Sequence, residues 1–257
     1  MMAEGVRVER LPESMMAGVG EIILDRPEKR NALTVEMLRG IVDGVRELGA
    51  DEGVRAIVLR GEGRVFCSGF DMLLCRDDAA VLGELLTGLS LAVRALRGAR
   101  VPVVVAAGGA AVAGGCALLG GGDLVITDRL AKLGYPVVRL GISPAVSGPS
   151  LERLVGERQS RARMLDPELI SGEEARRIGL AQMMVDLMED VVPRSQIEAA
   201  KLARKPREAV MRTKLWMNEL DGSDDIAAME RALAVSMGLV GSAEASERLA
   251  AMWGKND

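Results

Sequence analysis

The sequence predicts an α/β region that gives way to an all-helical C-terminal region, and three observations carry that reading. Short apolar runs bounded by Gly, Pro and Asp alternate with segments of helical apolar spacing up to about residue 193. From there on only helical spacing remains, which divides the chain into 1–193 and 194–257. The centre of the first part is residues 101–127, VPVVVAAGGAAVAGGCALLGGGDLVIT, read as strand, glycine-rich turn, short buried helix and strand. Two glycines at the mouth of that helix let the backbone approach a ligand with no Cβ in the way. The first N–H groups of a helix have no acceptor inside it and can face an anion. Glycines in apolar surroundings also serve close packing, and both readings stand at this point.

The remaining elements follow in order. Residues 6–10 alternate as a strand, and residues 20–25, GEIILD, form another that Pro27 stops. Thr34 caps a helix whose apolar positions are Met37, Leu38, Ile41, Val42, Val45 and Leu48. Gly40 and Gly44 weaken that helix, so packing must hold it. Residues 54–59 read as a buried strand, 79–96 as a helix and 131–136 as a short extended piece. A helix is expected over about 148–155. Ser171-Gly172-Glu173-Glu174 matches a capping box, in which Ser171 and Glu174 satisfy each other's end of a helix that Gly179 closes. A last strand at 183–185 precedes helices at about 195–204, 206–219, 225–239 and 243–253.

Composition excludes several classes of function. The 257 residues are 49% hydrophobic and 27% charged, as in a soluble globular protein. A net charge of −4 without a long basic run argues against nucleic acid or a membrane surface as main partner. There is no histidine, which removes Ser-His-Asp and Cys-His catalysis, a histidine base and any His-ligated metal site. Three cysteines, Cys67, Cys75 and Cys116, lack CxxC spacing, and the absence of a signal peptide points to reduced thiols and a cytoplasmic protein.

Five motifs occur in order at workable spacings: LDRPEKRNAL, VFCSGFDM, AVAGGCALLGGGDLVI, LGYPVVRLGISP and ISGEEARRIGL. Together they resemble the enoyl-CoA hydratase/isomerase family, the crotonase superfamily, over roughly residues 6–254. The resemblance implies a spiral of repeated ββα units with a C-terminal helical region that packs on the core or on a neighbouring subunit. It implies a homotrimer or dimer of trimers. It also implies an acyl-CoA thioester substrate and no cofactor beyond its coenzyme A moiety. Two backbone N–H groups would form an oxyanion hole, and motif position assigns them to Ser68 and Gly114. Donors fixed where enolate charge develops favour the transition state over the ground state.

By the same resemblance, the loop containing Lys29, Arg30, Ala32 and Leu33 lies along the coenzyme A moiety. Lys29 and Arg30 are candidates for its phosphates, with a solvated charged loop as the alternative. Gly69, Phe70, Asp71, Met72, Gly115, Pro136, Val137 and Leu140 are expected to line the substrate site. Asp71 is read as a helix cap rather than a catalytic group. Arg139, Ser143 and Ser147 are possible acyl-group contacts.

The sequence departs from the family where its hydratases and isomerases carry acid/base glutamates. Those positions are Ala117, Val137 and Ala145. Hydration needs a group that takes a proton from water, and Ala and Val cannot do so. The remaining candidates are Tyr135 as a proton donor, or else a buried ring with its hydroxyl satisfied, and Asp77 or Asp78 reaching in from the loop after the first oxyanion turn, or else solvated surface. Cys67 and Cys116 flank the two oxyanion positions and read as small core residues. Isomerase or decarboxylase chemistry is therefore expected over hydration. The alternative is a catalytically silent acyl-CoA-binding or scaffolding protein.

Overall fold

A computed structural model describes residues 4–76 and 78–253. Its frame is a six-stranded sheet in the order β1-β2-β3-β4-β6-β9. The first strands are β1 (Val6–Arg10) and, after the short helix α1 (Glu13–Met16), β2 (Val19–Leu24). They pair antiparallel, and every later pairing in this sheet is parallel. Helix α2 (Val35–Ala50) then leads to β3 (Ala56–Gly61), and α3 (Ala80–Arg97) leads to β4 (Val103–Ala107). Both parallel strands begin two residues later than apolarity alone predicts. Val54 donates its N–H to Asp51 O in a turn, and Pro102 has no N–H to offer a ladder.

Thr34 caps α2 as expected, its hydroxyl accepting from Met37 N at 3.1 Å. The helix tolerates Gly44 because a Cβ there would come within 2.9 Å of Val8 Cγ2. The missing side chain is what lets α2 lie against β1 and β2.

A second, three-stranded sheet was not legible in the sequence. β5 (Ala110–Val112) pairs with β7 (Lys132–Gly134), which pairs with β8 (Ile170–Ser171). Helix α4 (Gly114–Leu118) and β6 (Leu124–Asp128) lie between β5 and β7 in the chain. Helix α5 (Gly148–Leu165) breaks at Gly156, φ 77°, close to the predicted end of the helix at 155. Helix α6 (Gly172–Ile178) is capped by Ser171, whose hydroxyl accepts from Glu174 N at 3.1 Å, and ends at left-handed Gly179. The Glu174 carboxylate accepts from Arg177 at 2.6 Å through both oxygens instead of returning to Ser171, so only one half of the capping box forms.

After β9 (Met183–Val185) come α7 (Val191–Ala203), α8 (Arg207–Leu220), α9 (Ile226–Met237) and α10 (Ala243–Trp253). The divide expected at 193/194 falls inside α7, which belongs to the core. Its Val191, Ala199, Ala200 and Ala203 cover one sheet face, against Val58, Val104 and Ile126. Leu38, Ile41, Leu85 and Leu96 of α2 and α3 cover the other. The later helices are tied to the core by Lys214. It is buried on α8 and donates to Val101 O at 3.1 Å and to Asp123 at 2.6 Å. Among the described residues no helix is long and apolar enough to cross a membrane.

Candidate active site

Two turns meet where β5 passes the chain after β3. Cys67 N donates to Ala110 O at 3.1 Å, and Val112 N returns to Cys67 O at 3.0 Å. This parallel bridge straps the turn containing Ser68 and Gly69 to the entry of α4. The approach is close enough to dictate residue type. A Cβ at Gly115 would lie 2.4 Å from Cys67 O, so glycine is required there by packing rather than by a ligand. A Cβ at Gly69, φ 99°, would lie 3.0 Å from Ala113 Cβ and 3.7 Å from Gly114 N. The two turns are therefore in contact at the positions assigned to the oxyanion hole.

The two assigned donors are not in the same state. No acceptor among the described residues takes the Gly114 N–H. Gly114 opens α4, and Ala113 before it holds φ 52° and ψ −116°, a left-handed conformation strained for a residue with a side chain. Ala113 N donates to Gly134 O at 2.8 Å, which fixes that strained residue to β7. Ser68 N, by contrast, donates to the Arg30 carbonyl at 3.1 Å, so the expected donor is already engaged; the N–H of Phe70, two residues on and also lining the cavity, has no acceptor among the described residues.

Both residues line a cavity of about 260 Å³. Its walls come from Leu86 and Leu89 of α3, from Val112 and Ala113, from Pro136, Val137, Arg139 and Leu140 of the turn Pro136–Leu140, and from the segment after it, including Ile142, Pro144 and Val146. A groove of about 600 Å³ adjoins it and shares Ser68, Phe70 and Met72. Lys29, Arg30, Ala32, Asp71, Arg76 and Trp253 line this groove. The predicted substrate residues Pro136, Val137 and Leu140 face the cavity, as do Arg139, Ser143 and Ser147. Leu33, Gly69 and Gly115 line neither space. Leu33 is fully buried and bridges to the first turn, its N–H donating to Gly69 O at 2.7 Å.

Several expectations change. Asp71 caps nothing; its carboxylate accepts from Arg26 at 3.0 Å, and Arg26 also donates to Ala32 O at 2.8 Å, which holds the 26–33 loop to the first turn. Asp78 does not line the cavity, and its carboxylate accepts from Ala80 N at 2.8 Å at the start of α3. Asp77 lies outside the described residues. Tyr135 does line the cavity, but it is buried and its hydroxyl donates to Cys116 O at 3.3 Å. Burial pushes its ionisation well above the ordinary tyrosine value, so the phenol stays neutral. Burial also pushes the Cys67 and Cys116 thiols up to about 12, which removes them as thiolate nucleophiles.

Sequence reasoning missed Asn31. Its backbone is left-handed at φ 53°, and its side chain accepts from Arg26 N at 2.9 Å and donates to Glu62 O and Val65 O at 2.9 and 2.7 Å. An asparagine amid a charged loop was the available signal, since Asn is enriched at positive φ. The cavity walls from α3 were also missed, because helical spacing marks a buried stripe but not which part of it borders empty space.

The profile of the enoyl-CoA hydratase/isomerase family matches residues 14–248 of the chain. The chain belongs to that family. It is 32% identical over 203 residues to a probable enoyl-CoA hydratase of Mycobacterium leprae, covering 78% of this chain and 77% of that protein. It is 30% identical over 201 residues to a crotonyl-CoA hydratase of Syntrophomonas wolfei, covering 77% of each. Its fold superimposes on a crystal structure of an enoyl-CoA hydratase/isomerase from Mycobacterium paratuberculosis with a TM-score of 0.86 at 26% identity, over 97% of this chain and 98% of that one.

The three positions where the resemblance leads one to expect acid/base glutamates lie in or beside the site. Ala117 is buried in α4, Val137 is part of the cavity wall, and Ala145 lies between wall residues Pro144 and Val146. Among the described residues lining the cavity, none is Asp or Glu.

Proposed function

We propose that this family member acts on an acyl-CoA thioester through an enolate held at the N–H groups of Gly114 and Phe70, each on a residue that lines the cavity and each without an acceptor among the described residues, by chemistry that requires no protein carboxylate. The carrying observation is an unpartnered Gly114 N–H at the head of a cavity whose described lining holds no Asp or Glu. A fixed donor at the thioester oxygen stabilises the enolate as its charge develops, and one such donor contributes on the order of 3 kcal/mol. The adjoining groove, with Lys29, Arg30 and Arg76, suits the coenzyme A moiety. No further cofactor enters this reading.

Decarboxylation of a malonyl-type thioester fits best. The bond from the α-carbon to the carboxylate breaks, its electron pair passes into the enolate, CO2 leaves, and a solvent proton completes the product. The protein removes no proton. Double-bond isomerisation needs a proton carrier, and of the two loop acids proposed for it Asp78 is engaged at α3.

A second reading, a silent acyl-CoA binder, is favoured by the same lining, which holds no Asp or Glu to move a proton. Assays with crotonyl-CoA and with a malonyl-type thioester decide between these outcomes. The expected result is CO2 release from the second and no hydration of the first above the uncatalysed rate. Hydration of crotonyl-CoA at ordinary enzymatic rates would overturn the proposal. Tight binding of both with neither reaction would favour the silent binder.

A further inference from the structure

We infer that the acyl group this site selects carries its own carboxylate, making the substrate the coenzyme A monothioester of a dicarboxylic acid, and that Arg139 recognises it. This rests on the acyl-CoA reading of the cavity. Among the described residues lining that cavity, Arg139 is the one charged side chain; the others are apolar or neutral. A cavity for a simple alkanoyl chain needs no charge on its wall. The planar fork of a guanidinium matches a carboxylate.

The position of Arg139 is set by the fold. It lies in the turn Pro136–Leu140, which Pro136 starts and left-handed Gly141 ends. A Cβ at Gly141 would come within 2.9 Å of Ala245 Cα, so α10 packs directly on the end of this turn. The guanidinium has an exchangeable partner. It pairs with Glu168, and the two side chains are 54% and 71% exposed. Pairs this exposed contribute little stability, so a substrate carboxylate replaces Glu168 at small cost. The cavity lining offers no competing carboxylate to repel the incoming anion.

The test uses unreactive thioethers, so binding is read apart from chemistry. Dissociation constants of S-(carboxyalkyl)-CoA with two to four methylenes are measured by calorimetry against S-alkyl-CoA thioethers of equal heavy-atom count. The wild-type protein is expected to bind the best carboxylated member about tenfold more tightly than its alkyl counterpart, the order that one charge-assisted hydrogen bond supplies. In Arg139→Met that ratio falls to about one. In Glu168→Gln it rises a few-fold, because the internal competitor is gone. A merely structural role for Arg139 would weaken both ligands together and leave the ratio unchanged, and that result overturns the inference. So does a ratio near one in the wild-type protein. Binding of neither thioether would overturn the acyl-CoA reading itself and this inference with it.

Discussion

Asn31 touches neither the cavity nor the groove, yet it fixes the loop that borders the groove. Its amide satisfies three backbone groups, on Arg26, Glu62 and Val65, while its own backbone sits at φ 53°. Asn31→Ala leaves those groups without a partner and places a less tolerant residue in a left-handed conformation. The expected loss is on the order of 3 kcal/mol, read as a fall in Tm of about 6–10 °C. An unchanged Tm would mean that the loop is held by Asp71–Arg26 alone.

The buried thiols yield a pH prediction at the same scale. Cys67 and Cys116 are held neutral, with pKa pushed up to about 12 by burial, against an ordinary 9.0 in the unfolded chain. Their contribution to stability is complete below pH 9. It is lost as pH rises from there toward 12, at about 1.4 kcal/mol per thiol per pH unit. In urea titrations between pH 8 and 11, Cys67→Ala should lose less stability with pH than the wild-type protein. Parallel pH profiles would contradict that assignment.

At the scale of elements, the cavity wall depends on helices distant in sequence. Ser236 of α9 accepts from Val146 N at 3.0 Å and donates to Ser143 O at 2.9 Å, so a buried hydroxyl anchors the turn that carries Pro144 and Val146. Ser236→Ala is expected to cost about 2 kcal/mol and to weaken binding of an alkyl-CoA thioether, with both effects read by calorimetry. Loss of stability without loss of affinity would place the turn outside the binding function.

Local elements were legible in the sequence because their signals are local. Thr34 and Ser171 bond N–H groups three residues ahead, and the burial stripe of α2 repeats at helical spacing. The strands β5 and β8, of three and two residues, are too short to show a period. The contact of Ser68 N with Arg30 O joins two loops through tertiary folding, and no pattern in either loop announces it. The five motifs located the oxyanion turns. They could not show that Ser68 N already has an acceptor while Phe70 N, among the described residues, has none.

For the whole molecule, the C-terminal helices are as much part of the site as the sheet is. α9 braces one cavity wall, α10 abuts Gly141, and Trp253 at its end borders the groove. Exposed Trp216 and Leu220 on α8 and Ile226 on α9 support assembly through the same region. We propose a homotrimer or dimer of trimers, for which the mass in solution by light scattering should be about three or six times 27.3 kDa. A monomer at micromolar concentration would reject that assembly.

Isotope incorporation in D2O tests directly whether the site stabilises an enolate without a protein base. A malonyl-type thioester is turned over in D2O, and deuterons at the product's α-carbon are counted by mass spectrometry. The account predicts one deuteron, taken up when the enolate is protonated by solvent, and no further enzyme-dependent exchange on prolonged incubation. Continued exchange of the product's α-hydrogens would contradict it, because only a base within reach of that carbon could remove them.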